Sequence, residues 1–166
     1  MSRLVIPSYT VIKDTREKDG HGWFFNQQRP QTKPPKCDGM IEQKLDVGDY
    51  SLVGYEDILS IERKEDFAEL WVNYGRRSTF ETEMEKMSSI KYKYILIESL
   101  FTPDHFDLSP PQMRTSVPGK ALISWLCNIS LVYGVHIVPV GSCGSKYAQL
   151  IFKNVVRNEK DRWLEI

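Results

Sequence analysis

The chain has 166 residues, with 22 basic and 22 acidic side chains and a formal net charge of zero. That length fits one domain with room for a proper core, and 41% hydrophobic with 27% charged residues excludes a disordered or low-complexity chain. Zero net charge means that any binding of nucleic acid has to come from a local patch, not from a basic whole.

No apolar run reaches the length of a membrane span, and Met1 to Pro7 lacks the apolar stretch of a signal peptide. Cys37, Cys127 and Cys143 are an odd number with no C-x-x-C pair, which points to a reduced, intracellular, soluble protein and away from a zinc site. His21, His105 and His136 are equally scattered and read as surface or satisfied histidines.

Tyr9 to Asp14 reads as a strand centred on Val11 and Ile12, ending in the charged cluster Asp14-Thr15-Arg16-Glu17. Acids at a strand end are commonly just solvated; the functional reading is that Asp14, with Glu17, joins carboxylates from elsewhere. Lys18 to Asp38 is rich in Gly, Pro, Gln and Lys and too long for a tight connection. Its Lys18, Arg29, Lys33 and Lys36 are either phosphate contacts or the charges of a solvated loop. Ile41 to Leu45 reads as a short strand bringing the chain to Gly48-Asp49.

The stretch from Val47 to Leu70 organises the rest. Ile58-Leu59-Ser60-Ile61 has the character of a buried strand that leads into Glu62-Arg63-Lys64. Strand side chains alternate, so Glu62 and Lys64 are expected on one face and Arg63 on the other. With Gly54 and Asp57 as turn-formers, the chain can double back and set Asp49 beside Glu62. Two carboxylates and an amine so placed suit phosphodiester hydrolysis. Carboxylates are hard ligands for Mg²⁺, the ion activates water, and the lysine neutralises charge developing on phosphate or positions the water. A D…E-x-K pattern taken alone is weak, because charged strand ends are usually solvated.

Helical spacing follows. Phe67, Leu70, Trp71 and Tyr74 form an apolar stripe that signifies core, and Gly75 ends that helix. Ser78 with Glu81 is a candidate capping box for a second helix, with Phe80, Met84 and Met87 buried. Arg76 and Arg77 are either a phosphate contact or a solvated pair. Tyr92 to Glu98 is a strongly apolar strand expected at the centre of the sheet, with Glu98 structural in preference to a ligand. Phe101 to Val117 reads as loop or short turns, and Pro118 as the first turn of a helix carrying Leu122, Ile123, Leu126, Ile129 and Tyr133 and stopping at Gly134. Val135 to Val140 is expected as a buried strand. A last helix, about Ser145 to Val156, is expected to turn Tyr147, Leu150, Ile151 and Val155 inward. There is no internal repeat and no second domain.

This order specifies an α/β protein, a mixed β-sheet flanked by helices on both faces. Neither a Gly-rich dinucleotide turn nor a P-loop is present.

Asp14-x-Arg16-Glu17, Gly48-Asp49-Tyr50 and Glu62-Arg63-Lys64, in that order, resemble the nuclease domain of the XPF family of structure-selective endonucleases. The likeness runs on through Gly75-Arg76, Phe80 and the strand ending Leu96-Ile97-Glu98, so it covers nearly the whole chain, 1–166, as one nuclease domain. It is nearest in feel to the stand-alone versions of bacteriophages and bacteria, which places the protein in the cytoplasm, or the host cytoplasm if phage-encoded. The resemblance implies a restriction-endonuclease-like fold and Mg²⁺ or Mn²⁺ as cofactor. It implies Asp14, Asp49 and Glu62 as metal ligands, Glu17 as a supporting acid and Lys64 as the catalytic lysine. Arg63 is implied as a structural or phosphate-contacting partner whose carbonyl also faces the metal, with Arg16 beside the site and Gly48 as the small residue that presents Asp49.

Two departures stand out. The family often has an aspartate four residues after the lysine, where this chain has Ala68 between Asp66 and Glu69; either neighbour substitutes for it, or the role is absent. Nor is there room after Val140 for the family's helix-hairpin-helix module, so DNA grip is expected from the nuclease domain, a homodimer or a partner protein. The function expected is a metal-dependent DNA endonuclease acting on flaps, forks or branched DNA in replication, recombination or repair. The alternatives are a non-catalytic DNA-binding or scaffold module on the same fold, and a sequence-specific restriction-type nuclease.

Overall fold

The β-branched and aromatic run at Tyr9–Lys13 forms strand β1, and Cys37–Glu42 forms β2 beside it in parallel. The computed structural model describes residues 5–17, 20–107 and 119–164. β2 begins four residues earlier than the Ile41–Leu45 strand expected from sequence, because Cys37 is buried and Tyr9 N–H is already paired with Lys36 O. Tyr50–Leu52 is β3, antiparallel to β1 and to β4, which spans Leu59–Lys64. The chain does double back between them, through Gly54 at φ +84.

β5 (Tyr92–Ile97) and β6 (His136–Pro139) extend the sheet in parallel, giving the order β2-β1-β3-β4-β5-β6. β5 is interior but only one strand from the edge. β6 is one of the two edge strands and only partly buried, against the expectation of a buried strand; Val135 and Val140 on either side carry the burial.

Strand parity divides the core. Leu59, Ile61 and Leu96 face one layer, made of Trp23, Phe25, Tyr50 and helix α5 (Gly144–Asn158). Ile95 and Ile97 face the other, made of α1 (Phe67–Gly75), α2 (Arg77–Met87) and α4 (Gly119–Tyr133). The sheet therefore carries helices on both faces, as expected. In α1, Phe67, Leu70 and Trp71 are buried, and Asp66 caps the helix by accepting from Glu69 N–H.

Three local expectations need correction. α2 starts at Arg77 with no side-chain cap, so Ser78 and Glu81 form no capping box; the Glu81 carboxylate instead accepts from the Trp125 indole at 3.2 Å. The buried stripe of α5 is Ala148, Ile151, Phe152, Val155 and Val156, while Tyr147 and Leu150 point to solvent. The segment after Phe101 contains a short helix, α3 (Pro103–Asp107), and the tail adds α6 (Lys160–Leu164). Lys18, Pro110, Pro111 and Pro118 lie outside the described residues. Among the described residues, no helix is long and apolar enough to cross a membrane.

Candidate active site

Gly48 turns the chain into β3 and fixes where Asp49 stands. Its φ is +77, and a Cβ there would lie 2.2 Å from Ser60 Oγ and 3.2 Å from Ile61 O, so only glycine fits. Asp49 is then tied on both sides. Its N–H donates to Ile61 O at 2.8 Å, its carbonyl accepts from Asp14 N–H at 2.8 Å, and its Oδ2 accepts from Arg63 N–H at 2.7 Å.

Glu62 and Lys64 share a face of β4, as alternation requires. Lys64 Nζ donates to Glu62 Oε1 at 2.9 Å and to Glu69 Oε1 at 3.4 Å, and the whole residue is only 5% exposed. Burial opposes its charge, but the flanking Glu62 and Glu69 carboxylates hold the ammonium above its ordinary pKa. Arg63 goes to the opposite face. Its guanidinium pairs with Glu98 and lies 3.7 Å from Glu17 Oε1, stacked at 5.9 Å over the Trp23 ring. Glu98 also accepts the Trp23 indole N–H at 2.8 Å.

These strand ends open into a cleft of about 360 Å³. Asp49, Glu62 and Glu17 line it together with Arg63 and Arg16. The Asp49 carboxyl is pushed well above the usual carboxylate range, first by removal from water and then by the Glu62 carboxylate; Arg63 N–H and Lys64 pull the other way. Burial likewise raises Glu17, against the pull of Arg63 and Lys13. A larger hollow of about 480 Å³, between residues 43–47 and Lys86–Ile90, contains none of these strand-end acids.

Asp14 is placed differently from its expected partners. Its Oδ2 accepts from Arg16 Nε at 2.7 Å and from Arg16 N–H, and its Oδ1 accepts from Leu45 N–H at 2.7 Å. Burial alone would raise this carboxyl, but those donors hold it below the usual carboxylate value. Its side chain is absent from the cleft wall, and among the described residues no three Asp, Glu, His or Cys side chains form a ready-made metal cage. The structure thus brings Asp49 and Glu62 together with Glu17, and leaves the Asp14 carboxylate bound to Arg16.

Glu69, one of the two acids expected to stand in for the aspartate missing at Ala68, lines the cleft, together with two residues the sequence did not single out, Glu65 and His21. The Glu69 carboxylate faces the cleft and accepts from Lys64 at 3.4 Å, while Asp66 is committed to capping α1. Nothing in the sequence marks His21, whose Nδ1 lies 3.7 Å from Glu65 Oε1. Arg76 and Arg77 lie away from the cleft at the α1–α2 junction, Arg77 stacked 4.3 Å over Tyr74.

No protein-family model matches the chain, and no curated protein matches it in sequence. Among solved structures it is similar to XPF from Aeropyrum pernix, at 16% identity and a TM-score of 0.56, over 94% of this chain and 67% of that one. A second structure of the same protein, in complex with DNA, matches at 15% identity and a TM-score of 0.57, over 90% and 66%. The chain thus has the XPF nuclease fold and spans about two thirds of the length of those chains.

Proposed function

We propose that the chain is a metal-dependent DNA endonuclease of the XPF type, cutting phosphodiester bonds at flaps, forks or other branched DNA in replication, recombination or repair. The observation that carries this reading is the placement of Asp49 and Glu62 at the adjoining ends of β3 and β4, with the buried Lys64 bonded to Glu62. The fold shared with XPF, one structure of which is a DNA complex, supports it.

The residues fit a hard divalent cation. Mg²⁺ is held through one or two carboxylates plus water and substrate phosphate, without an all-protein cage. Asp49 Oδ2 is occupied by Arg63 N–H and Glu62 Oε1 by Lys64, which leaves each carboxylate a second oxygen with no hydrogen bond among the described residues. Asp49 and Glu62 would hold Mg²⁺ or Mn²⁺, with Glu17 close by as a supporting acid. When bound, the ion would polarise a phosphoryl oxygen and lower the pKa of a water.

The chain supplies the rest. Lys64, kept protonated by Glu62 and Glu69, sets a positive charge beside the reacting phosphate, where it offsets developing charge or orients the attacking water. Arg63 is a positioning residue, since its side chain is spent on Glu98 and Glu17 while its backbone N–H aims Asp49.

The test is cleavage of end-labelled flaps, forks, four-way junctions, duplex and single strands, each in Mg²⁺, Mn²⁺ and EDTA. Metal-dependent cutting confined to branched DNA supports the proposal. Cutting of duplex at fixed sequences would replace it with a restriction-type activity, and tight binding without cutting under either metal would leave a scaffold.

A further inference from the structure

We infer that the groove between residues 24–28 and the first turns of α5 holds an unpaired stretch of the DNA substrate, with Phe24 as the surface on which a base stacks. The inference rests on the nuclease reading above and extends it to how a single-stranded arm is gripped.

Charge distribution is the first ground. The chain is neutral as a whole, but two of its segments contain no acid at all. Residues 20–37 carry Arg29, Lys33 and Lys36; residues 144–158 carry Lys146, Lys153 and Arg157. These segments pack on each other. Arg157 donates to Pro34 O at 3.2 Å, and Phe25 meets Phe152 edge-on at 5.4 Å. Both segments thus contribute bases and no acid to one side of the molecule, while the remainder of the chain has six more acids than bases. This is the kind of local patch that a neutral protein needs to hold a phosphate backbone.

Phe24 is the second ground. Lone exposed hydrophobic residues are ordinary, but this ring is held out by rigid neighbours. Trp23 stacks on Tyr50 at 4.9 Å, Phe25 packs against Tyr50 and Phe152, and Gln28 is bonded twice to Cys37, through its own N–H and its side-chain oxygen. With Trp23 and Phe25 turned inward, alternation leaves Phe24 71% exposed. The groove at its side, about 260 Å³, is walled by Asn26, Gln27, Ser145, Lys146 and Gln149, and no acid lines it. A flat ring, amides, a hydroxyl and one ammonium are the chemistry that holds single-stranded nucleic acid without reading its sequence.

Continuity is the third ground. The buried Trp23 links the two: its indole is bonded to Glu98, which holds Arg63 of the cleft, and its ring packs so closely on Gly144, next to Ser145 of the groove, that a Cβ there would come within 2.6 Å. His21 lines the cleft and Phe24 the groove, and a chain covers three residues in at most about 10 Å. A strand leaving the cleft therefore meets the groove at once.

The test is fluorescence anisotropy in EDTA, where nothing is cut, with oligo(dT), RNA of the same length and base pattern, and blunt duplex. Phe24→Ala is expected to weaken oligo(dT) binding about tenfold, within the range for loss of one base–aromatic stack, with duplex binding and thermal stability unchanged. Phe24→Trp is expected to restore it. Lys146→Gln is expected to flatten the slope of log affinity against log salt by about 0.7. Equal affinity of Phe24→Ala and wild type for oligo(dT) would overturn the inference, as would tighter binding of the RNA. If wild type cuts branched DNA and Phe24→Ala still binds normally, only the groove assignment falls. If wild type neither binds nor cuts any DNA, the nuclease reading falls and takes the groove with it.

Discussion

The backbone N–H of Arg63 donates to Asp49 Oδ2 at 2.7 Å, so a single hydrogen bond ties the Gly-Asp turn before β3 to the Glu-Arg-Lys end of β4. Asp49 is therefore aimed by the main chain of the neighbouring strand. Its orientation survives any substitution that keeps an acceptor in that place, which lets charge and geometry be tested separately.

Asp49→Asn keeps an acceptor and removes the charge. In the folded protein the Asp49 carboxyl titrates well above its ordinary value, because it is removed from water and faces Glu62 and Glu17; Arg63 N–H and Lys64 only partly offset this. Between the unfolded and folded pKa values the folded state binds more protons, so stability falls as pH rises. The penalty is complete above the folded pKa and absent below the ordinary carboxylate value of about 3.9. In EDTA at pH 8, Asp49→Asn is expected to melt about 2–4 °C higher than wild type, and the gap is expected to close as pH is lowered. A lower melting temperature for the variant at pH 8 would contradict the charge crowding.

Gly48→Ala is expected to cost about 2 kcal/mol or more in urea denaturation, since it combines a left-handed backbone with a Cβ driven into Ser60 and Ile61. Adding Ser60→Ala relieves only the 2.2 Å contact and is expected to recover part of the loss. Gly54→Ala is the control. Its φ is +84 but nothing lies within 4 Å, so it is expected to lose only about 1 kcal/mol. Equal costs at the two positions would remove the packing argument for Gly48.

Glu98→Ala strips the Arg63 guanidinium of its main partner in a place where the Arg63 side chain is only 9% exposed. Breaking such a pair is expected to cost on the order of 3 kcal/mol and to lower cleavage through misplacement of the β4 end. Trp23→Phe removes the 2.8 Å indole bond to Glu98 together with the part of the ring packed on Gly144, and is expected to cost about 2 kcal/mol while leaving the Arg63–Glu98 pair in place. Chemical denaturation of both variants, with cleavage measured alongside, separates the two roles.

Much of this site was legible because it follows from strand parity. Alternation alone put Glu62 and Lys64 on one face and Arg63 on the other, and the family resemblance marked Gly48 as the small residue that presents Asp49, at a position where only glycine fits. The α1 stripe was legible for the same reason of period. What sequence could not give was competition for a side chain. Asp14 lies at the right strand end, but Arg16 two residues on and the Leu45 N–H take both its oxygens. Glu81 stands at capping distance from Ser78, yet Trp125 on a distant helix claims it. In α5 the inward face was set off by one residue, because Ala148 and Phe152, rather than Tyr147 and Leu150, meet the sheet. His21 reaches the cleft through a long connection with no periodicity to reveal it.

Cleavage of an end-labelled branched DNA by wild type, Asp49→Ala and Lys64→Ala, compared side by side in Mg²⁺ and in EDTA, tests the central claim most directly. The account predicts cutting by wild type in Mg²⁺ and none in EDTA. It predicts no detectable cutting by Asp49→Ala, and a rate about 10²–10³ lower for Lys64→Ala, as for loss of a charge that stabilises a transition state, with all three proteins folded. Cutting by Asp49→Ala at the wild-type rate, or by wild type in EDTA, would contradict it.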